Sequence, residues 1–303
     1  MDAELRRAVA RRLAEAGGGE VEIAAAAPVA GGSIHHAFRV DLAGGRRLFV
    51  KAHDAAPRGT FEREAEGLAA LAAAGALRTP RDPLPGAPTG VSFLVMEWIE
   101  AGRPGPGFFE DFGRRLARLH RVTAEAGGHG GRFGFARDNW LGATPQPNDW
   151  SADWVEFWRR SRLDHQLRLA RASGLSDRTL DRLGDRLMAR LGEWIDVPAE
   201  PPCLLHGDLW GGNYLADERG EPVLIDPACY YGHREADLAM TRLFGGFAPG
   251  FYAAYEEEWP LPPGSAERLA IYELYHLLNH LHLFGRSYRG RAVAILERLV
   301  GPG

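Results

Sequence analysis

The chain has 303 residues, of which 45% are hydrophobic and 25% charged, and its formal net charge is −4. This is ordinary globular composition, and the slight acidity argues against a basic surface that binds nucleic acid. No run of about 18 apolar residues occurs and the two cysteines, Cys203 and Cys229, form no CxxC pair, so we expect no membrane span, no disulfide framework and a cytoplasmic location.

The first hundred residues combine strand patterns with helical ones. Apolar side chains alternate in the strand segments and recur every three or four residues in the helical segments. In chain order we predict a helix over 1–16, strands over 37–42 and 47–51 joined by a glycine turn, a helix over 60–74, a loop over 79–90 and a strand over 91–99. Glycine and proline residues within 102–107 then indicate a linker.

Most of the remaining chain has helical periodicity. The predicted elements are helices over 108–122, 151–172 with Ser151 as the N-cap, 180–195 and 266–284, and short apolar strands over 203–205 and 222–225. Strands segregated from helices indicate an α+β fold. We therefore predict a small β-rich lobe over residues 1–100 and a larger, mostly helical lobe over 101–303.

The main candidate for a catalytic site is the segment HGDLWGGN at 206–213. Asp208 and Asn213 are five residues apart, which is the kinase catalytic-loop spacing for the base and a Mg²⁺ ligand. Asp226 ends the next apolar run, where kinases place a second metal-binding carboxylate. Each residue alone is typical of a turn, but the ordered set predicts a phosphotransferase with a protein-kinase-like bilobal fold that uses ATP and Mg²⁺.

A lysine and a glutamate upstream of this segment complete the pattern. Lys51 ends the second strand of the first hairpin, where a lysine reaches the α- and β-phosphates of ATP. Glu64 lies on the following helix and is the predicted ion-pair partner. Glu62 and Glu66 flank it as alternatives, and the phase of the helix determines which of the three faces the lysine.

Two further segments are predicted to contact ATP through their backbones. A glycine-containing loop in the position of a phosphate-covering loop is a weak signal, because it lacks the GxGxxG pattern. The last strand of the first lobe ends where the hinge of this architecture meets adenine. The residues concerned are Gly31, Gly32 and Ser33 in the loop and Met96, Glu97 and Trp98 at the hinge.

The chain resembles the fructosamine-3-kinase (ketosamine-3-kinase) family, a branch of the aminoglycoside-phosphotransferase-like kinases. The segments that carry this resemblance are spread over residues 31–261 and include GGSIHHAF, LFVKAH, PQPNDWSADWVEFW, LLHGDLWGGNYL and VLIDPACYYGHREADLAMTRLFGGF. The most specific parts are Trp210-Gly211-Gly212 after the catalytic aspartate and the HRE stretch that ends at Glu235. Ser33 stands where some members carry a cysteine, so we expect no thiol switch in that loop.

The resemblance implies phosphorylation of the sugar O3 of ketosamines, which are adducts of amines with sugars. The 3-phosphate then breaks down and frees the amine, which amounts to deglycation and protein repair. By the same resemblance Asp208 is the base, Asn213 and Asp226 bind Mg²⁺, and Lys51 and Glu64 align ATP. The predicted partner is a ketosamine, either a small molecule or a glycated protein, and the chain is predicted to be a monomer or weak dimer.

Roles in substrate binding are open to two interpretations each. Trp210 either stacks on a sugar or packs in the core, and these are weighed equally. Glu235 is predicted to orient the substrate, although an acid that complements a helix N-terminus is the alternative there and for Asp237. His276 and His280 have the spacing of a zinc pair, but no third ligand is evident and a packed helix is favoured.

Two other functions are compatible with parts of the sequence. A related small-molecule kinase of the aminoglycoside or choline type is the first, but the many arginines between residues 159 and 190 disfavour the acidic cleft that polycations require. A pseudokinase that only binds ligands is the second, and the complete set of catalytic residues disfavours it.

Overall fold

The structure is a computed structural model that describes residues 1–30, 35–54, 59–87, 91–197 and 200–301. The strands are β1 (Ile23–Pro28), β2 (His36–Leu42), β3 (Arg47–His53), β4 (Leu84–Gly86), β5 (Ser92–Glu97), β6 (Asn139–Leu141), β7 (Thr144–Gln146), β8 (Cys203–Leu205), β9 (Tyr214–Ala216), β10 (Pro222–Leu224) and β11 (Tyr230–Gly232). The helices are α1 (Ala3–Gly17), α2 (Thr60–Ala74), α3 (Phe108–His120), α4 (Trp154–Trp158), α5 (His165–Ala172), α6 (Arg178–Arg190), α7 (Gly192–Ile195), α8 (Glu235–Leu243), α9 (Pro249–Glu258), α10 (Ser265–Phe284) and α11 (Arg289–Val300). A π-helix over Arg159–Asp164 joins α4 to α5, and a short 3-10 helix over Arg286–Tyr288 precedes α11.

The chain forms two compact units. One comprises Met1–Phe108 and Tyr214–Pro227, and the other comprises Phe109–Asn213 and Ala228–Gly303. The β9–β10 hairpin is thus part of the first unit although it follows the central helices in sequence. The predicted lobes, 1–100 and 101–303, differ from this partition by that hairpin and by the residues up to Phe108.

A five-stranded antiparallel sheet in the order β1-β2-β3-β5-β4 forms the centre of the first unit. Alternate side chains of a strand point to opposite faces. Accordingly Phe93 and Val95 of β5 pack in one apolar cluster with residues of α1, whereas Leu94 and Met96 pack in another with residues of α2. The same alternation on β3 directs Lys51 to the face that α2 covers.

The β9–β10 hairpin is attached to the first unit by backbone and side-chain contacts. Leu224 donates its backbone N–H to the carbonyl of Arg78 at 2.9 Å, and the Arg78 guanidinium forms an ion pair with Asp217 in the hairpin turn. Asp217 also accepts the backbone N–H groups of Arg219 and Glu221, both at 2.9 Å. The hairpin that ends near Asp226 is therefore fixed within the unit that contains Lys51.

The long helix α10 lies at the centre of the second unit, where it contacts α5, α8 and α11. Its apolar residues, such as Leu274, Leu277 and Leu278, are fully buried. Trp154 of α4 donates its indole N–H to the Tyr272 hydroxyl at 3.0 Å, which ties α4 to the same helix. A helix that is apolar on most sides needs such surrounding elements to bury it.

The structure confirms the α+β prediction, with strands and helices segregated along most of the chain. Two predicted helices are divided: the residues over 151–172 form α4, the π-helix and α5, and those over 180–195 form most of α6 and α7. The predicted N-cap Ser151 is wrong, because Asp153 caps α4 by accepting the N–H of Glu156 at 2.8 Å. Within the described ranges, no helix combines the length and apolarity needed to cross a membrane.

Candidate active site

The buried lysine of β3 contacts two carboxylates of its own unit. Lys51 Nζ donates to the two carboxylate oxygens of Glu64 at 3.1 and 2.9 Å and lies 3.1 Å from Oδ1 of Asp226. Glu66, one of the rival glutamates on α2, binds Arg63 instead. The structure therefore places Glu64 against the lysine, together with the aspartate that ends the β9–β10 hairpin.

Burial and charge act on this cluster in opposite directions. Burial favours loss of the Lys51 proton, but the charges of Asp226 and Glu64 outweigh it and raise the pKa of Lys51. Burial raises the pKa of Glu64 to about 7, against the opposing effect of Lys51. One ammonium thus faces two carboxyl groups, so the lysine stays cationic. The lysine does not neutralise both groups when they are ionised, and the remaining negative charge can attract another cation.

Asp226 has an uncommon backbone conformation. Its φ is +53°, in the left-handed region that few residues other than glycine adopt. Aspartate tolerates this region better than most residues, and such strained positions concentrate at functional sites. Its side chain is 41% exposed, so the carboxylate that contacts Lys51 is also accessible to a ligand.

The predicted hinge residues end the last long strand of the sheet. Met96 is buried in the cluster with α2, and Trp98 donates its indole N–H to Glu100 at 3.2 Å. The Glu97 carboxylate binds Arg78 at 3.0 Å and Arg81 at 2.8 Å. Burial alone raises the pKa of Glu97, but the hydrogen bonds from the two arginines outweigh it and lower the pKa. Glu97 therefore has a structural role, and the nucleotide contacts predicted here are backbone contacts.

The predicted phosphate-covering loop, Gly31, Gly32 and Ser33, lies outside the described residues. His35 directly after it is described, and its ring packs against those of His53 and Phe61 with centroids 5.3 Å apart in each case. Burial and the nearby Lys51 lower the pKa of His35 to about 4, so it is neutral at physiological pH.

In the second unit, the predicted catalytic aspartate lies in the loop that follows β8. Asn213 donates its Nδ2 hydrogens to the Asp208 backbone carbonyl at 2.7 Å and to Asp208 Oδ2 at 3.0 Å. Because both contacts use the amide nitrogen, the amide oxygen of Asn213 is directed elsewhere. The Asp208 side chain is 19% exposed, so it is restrained but accessible.

The backbone of this loop is bound by a buried carboxylate. The sequence analysis did not assign that carboxylate a role in the loop. Asp237 of α8 accepts the backbone N–H of His206 at 2.7 Å and that of Gly207 at 2.8 Å, and its Oδ2 lies 3.2 Å from Nε2 of His120. Burial raises the pKa of Asp237, but these hydrogen bonds and charges outweigh it and lower the pKa. Gly207 is required here because its φ is +83° and a Cβ would lie 2.1 Å from the carbonyl oxygen of Ala228.

One of the two glycines after the catalytic aspartate, Gly212, makes room for a tryptophan. The Trp210 side chain is 39% exposed and packs against Phe244, with ring centroids 6.2 Å apart. A Cβ on Gly212 would lie 2.4 Å from the indole ring, so only glycine lets Trp210 lie over the loop. Trp210 is thus an accessible ring close in sequence to Asp208 rather than a core residue.

Glu235, predicted to orient a substrate, has a different environment. Both of its oxygens bind Arg268, at 2.6 and 2.7 Å, and the side chain is 2% exposed. A carboxylate that is buried and paired in this way has no free face for a substrate. The structure therefore does not support the substrate role. Instead, the ion pair between Glu235 and Arg268 connects α8 to α10.

A buried polar network that the sequence analysis did not identify fixes the chain just after Asp226. Asn139 donates to the Cys229 carbonyl at 2.8 Å, and Gln146 donates to the Ala228 carbonyl at 3.1 Å. Further hydrogen bonds connect this pair to Asn148, Arg162 and Tyr275. The only sequence signal was the resemblance of the segment around Asn148, which indicated a family feature without its contacts.

The fold and these two groups of residues define a class of protein. Protein-kinase-like phosphotransferases bind the nucleotide and its metal with a cationic lysine that is paired to a helix glutamate, and with an aspartate that follows the hairpin. Their catalytic loop contains an aspartate and, five residues later, an asparagine, as in this chain. The chain is a phosphotransferase with the protein-kinase-like fold.

Comparison with known proteins gives the family. The Fructosamine kinase family model matches residues 5–301. The chain is 39% identical to a probable ketoamine kinase of Synechocystis sp., over 96% of this chain and 95% of that one, and 41% identical to the chloroplastic protein-ribulosamine 3-kinase of Arabidopsis thaliana, over 89% and 80%. The chain therefore belongs to the fructosamine kinase family and is an ATP-dependent kinase.

Solved structures agree with this assignment. A protein from Thermobifida fusca that is provisionally named a fructosamine-3-kinase superposes with a TM-score of 0.81 at 38% identity, covering 96% of this chain and 98% of that one. An aminoglycoside phosphotransferase superposes with a TM-score of 0.61 at 15% identity, covering 96% and 99%. The second likeness is one of fold, and it confirms the predicted kinase-like architecture.

Proposed function

We propose that the protein transfers the γ-phosphoryl group of ATP to O3 of the sugar in ketosamines. The observation that carries this proposal is the family match over residues 5–301 in a chain that retains the whole catalytic set. Ketoamine and ribulosamine kinases are the activities named for its curated relatives, which supports a ketosamine acceptor. The 3-phosphate that results is unstable, and its breakdown frees the amine, so the biological outcome is deglycation.

In this proposal Asp208 accepts the proton of the acceptor hydroxyl. The two hydrogen bonds from Asn213 hold the Asp208 loop in a defined geometry, which is what general-base catalysis requires. His206 and Gly207, clamped on Asp237, position the backbone that leads into the base. The acceptor oxygen forms its bond to the γ-phosphorus as the bond between that phosphorus and the leaving oxygen of ADP breaks.

The residues proposed for Mg²⁺ fit a hard cation. The amide oxygen of Asn213 takes no part in the two contacts with Asp208, and Asp226 has a partly exposed carboxylate. Carboxylate and amide oxygens are the ligands that a hard divalent cation prefers. Mg²⁺ held by Asn213 and Asp226 would supply positive charge to offset the charge that develops on the transferred phosphoryl group.

The nucleotide contacts are proposed at three places in the first unit. Lys51, oriented by Glu64, contacts the α- and β-phosphates. The backbone of the segment Met96, Glu97 and Trp98 contacts adenine. The loop of Gly31, Gly32 and Ser33 covers the phosphates.

Trp210 is proposed to stack on the sugar of the acceptor. Its exposure and its position two residues after the base support this over core packing. The ring lies close against Gly212, where a Cβ would be only 2.4 Å from it, and an aromatic ring suits the apolar face of a sugar.

We also infer a cytoplasmic location and a monomer or weak dimer. Cys203 and Cys229 are both buried thiols, as a reducing compartment permits. The acceptor is a free ketosamine or a glycated protein, and the assay below separates them.

The proposal is tested by ³¹P NMR of reactions with ATP, Mg²⁺ and a panel of ribulosamines and fructosamines, both free and on a glycated protein. A sugar 3-phosphate followed by release of the amine is the expected result. Phosphorylation of an aminoglycoside or an amino alcohol with no ketosamine phosphate would refute the proposal.

The Trp210→Ala substitution is expected to raise KM for ketosamines, measured on the same panel of acceptors. An unchanged KM would show that Trp210 has only a structural role in the loop.

Replacing Lys51 with methionine is expected to lower kcat/KM for ATP about 10²-fold, because a buried cation that contacts the phosphates is lost. Lys51→Arg keeps the charge but not the compact ammonium, so an intermediate loss is expected. Initial rates at varied ATP concentration measure the effect. Arg46→Met is the matched control, since Arg46 is exposed and pairs with Asp82. An unchanged kcat/KM for ATP in the Lys51→Met protein would exclude the assigned contact.

A further inference from the structure

A buried histidine of α10 lies next to the catalytic aspartate, and one of its ring nitrogens lacks a hydrogen-bond partner among the described residues. The Nδ1 atom of His276 lies 4.0 Å from Oδ1 of Asp208, and the His276 side chain is 2% exposed. No hydrogen-bond partner for this Nδ1 occurs among the described residues. A buried polar atom without a partner is costly, so a position of this kind calls for an explanation.

The contact is not an ion pair. Burial lowers the pKa of His276 to about 3, with His280 acting in the same direction, so the imidazole is neutral at physiological pH. The charged groups that also act on the ring are Asp237, which favours its protonation, and Arg162, which opposes it. A neutral ring facing a carboxylate is favoured with the proton on Nδ1, because a lone pair in that place would repel the carboxylate oxygen.

The 4.0 Å separation is too long for a hydrogen bond but has the right length for one oxygen between the two atoms. An oxygen placed about 2.8 Å from each would donate its hydrogen to Asp208 and accept the hydrogen of His276. An alcohol oxygen has one O–H and two lone pairs, so the second lone pair remains for attack on phosphorus. Its proton passes to Asp208 as the oxygen–phosphorus bond forms and ADP departs.

We propose that His276 binds the reacting hydroxyl of the acceptor through Nδ1 and, with Asp208, fixes its position and the direction of its lone pair. This inference rests on the proposed function for the identity of the acceptor, but its geometry requires only an alcohol. The aspartate then removes the proton while the histidine orients the oxygen.

The surroundings of His276 suit a residue with a fixed orientation. The ring packs edge-on against the neighbouring Tyr275, with centroids 5.1 Å apart. Tyr275 donates to Gln146 at 2.7 Å, and Gln146 belongs to the network that anchors the Ala228 carbonyl. The backbone carbonyl of His276 lies 2.8 Å from Nδ1 of His280. The ring is therefore held by packed and hydrogen-bonded neighbours rather than by Asp208 itself.

The test compares three variants with the wild type in steady-state assays with a ketosamine acceptor. His276→Leu is expected to lower kcat/KM for the acceptor 10- to 10²-fold, roughly the effect of one lost hydrogen bond next to a charged group, with KM for ATP unchanged. His276→Asn places an amide N–H near the position of Nδ1 and is expected to recover at least about a third of the loss on a logarithmic scale. His282→Leu, the same change further along α10 at a side chain that contacts Ser173, is the control and is expected to match the wild type.

Thermal unfolding of each variant shows whether the comparison is between folded proteins, and rates are referred to the folded fraction. A His276→Leu protein within twofold of the wild type would overturn the inference. So would a His276→Asn protein that is folded but no better than His276→Leu, since the role would then be packing. Wild-type protein that phosphorylates another alcohol and no ketosamine would refute the proposed function, and the same three variants assayed on that alcohol would still decide the role of His276.

Discussion

Replacing Asp208 with asparagine is expected to lower kcat/KM for phosphate transfer about 10³-fold while leaving the fold intact. An amide cannot accept the proton of the acceptor hydroxyl, and general-base catalysis typically contributes factors of about 10² to 10⁴. The loop should survive the change, because Asn213 also binds the Asp208 backbone carbonyl at 2.7 Å, and this contact does not depend on the side chain. Release of ADP in a coupled assay measures the rate.

The control for this experiment is Asp185→Asn, which removes an exposed carboxylate from α6 where it pairs with Arg171. Exposed pairs of this type contribute little, so activity and the urea midpoint are both expected to match the wild type. Urea denaturation of the Asp208→Asn protein should likewise show an unchanged midpoint. Full turnover by a folded Asp208→Asn protein would remove Asp208 from the role of base and leave positioning as the main source of catalysis.

Parts of the fold with strong local signals are predictable from the sequence. The alternating segment before Lys51 and the helical segment after Gly59 appear in the structure as β3 and as α2, whose bounds at Thr60–Ala74 match the prediction. In both cases one periodicity dominates and glycines mark the ends. The short strands β4, β6 and β7 have three residues each, and a period cannot be recognised over so few positions.

The interrupted helix over 151–172 shows a different limit. Its residues have continuous helical periodicity, and nothing local marks the change to a π-helix at Arg159–Asp164. Arg162 within that segment is fully buried, donates to Asn148 at 2.7 Å and lies 4.1 Å from the ring centroid of Tyr230. These contacts join distant parts of the sequence, and such tertiary interactions override a local helical preference.

The same distinction applies to the candidate site. Lys51, Glu64, Asp208, Asn213 and Asp226 were named from motif spacing, which reports short-range geometry. Glu235 was assigned to the substrate from its place in the HRE stretch, and its pairing with Arg268, 33 residues away, has no sequence signal. Asp237, two residues later on the same helix, was interpreted as a helix-end acid, and only the structure reveals the backbone groups that it accepts.

Replacing Asp237 with asparagine is expected to lower the free energy of unfolding by about 3 kcal/mol and to reduce kcat/KM by more than tenfold. The two carboxylate oxygens accept the N–H groups of His206 and Gly207, and an amide offers only one oxygen. One of the two N–H groups would then face an NH₂ donor in a fully buried site, and each buried group left without a partner costs about 1–3 kcal/mol. Urea denaturation monitored by circular dichroism measures the first effect, and the ketosamine assay measures the second.

The loss of activity separates a loop-positioning role from a merely structural one. Glu200→Gln is the matched control, because it weakens another buried pair of the second unit, in which Glu200 binds Arg234 at 2.8 Å rather than the catalytic loop. That variant is expected to lose stability but to keep the kcat of the wild type in its folded fraction. If Asp237→Asn behaved in the same way, Asp237 would stabilise the fold without positioning Asp208. A lower kcat in Asp237→Asn alone would mean that the two hydrogen bonds to the backbone before Asp208 set the position of the base.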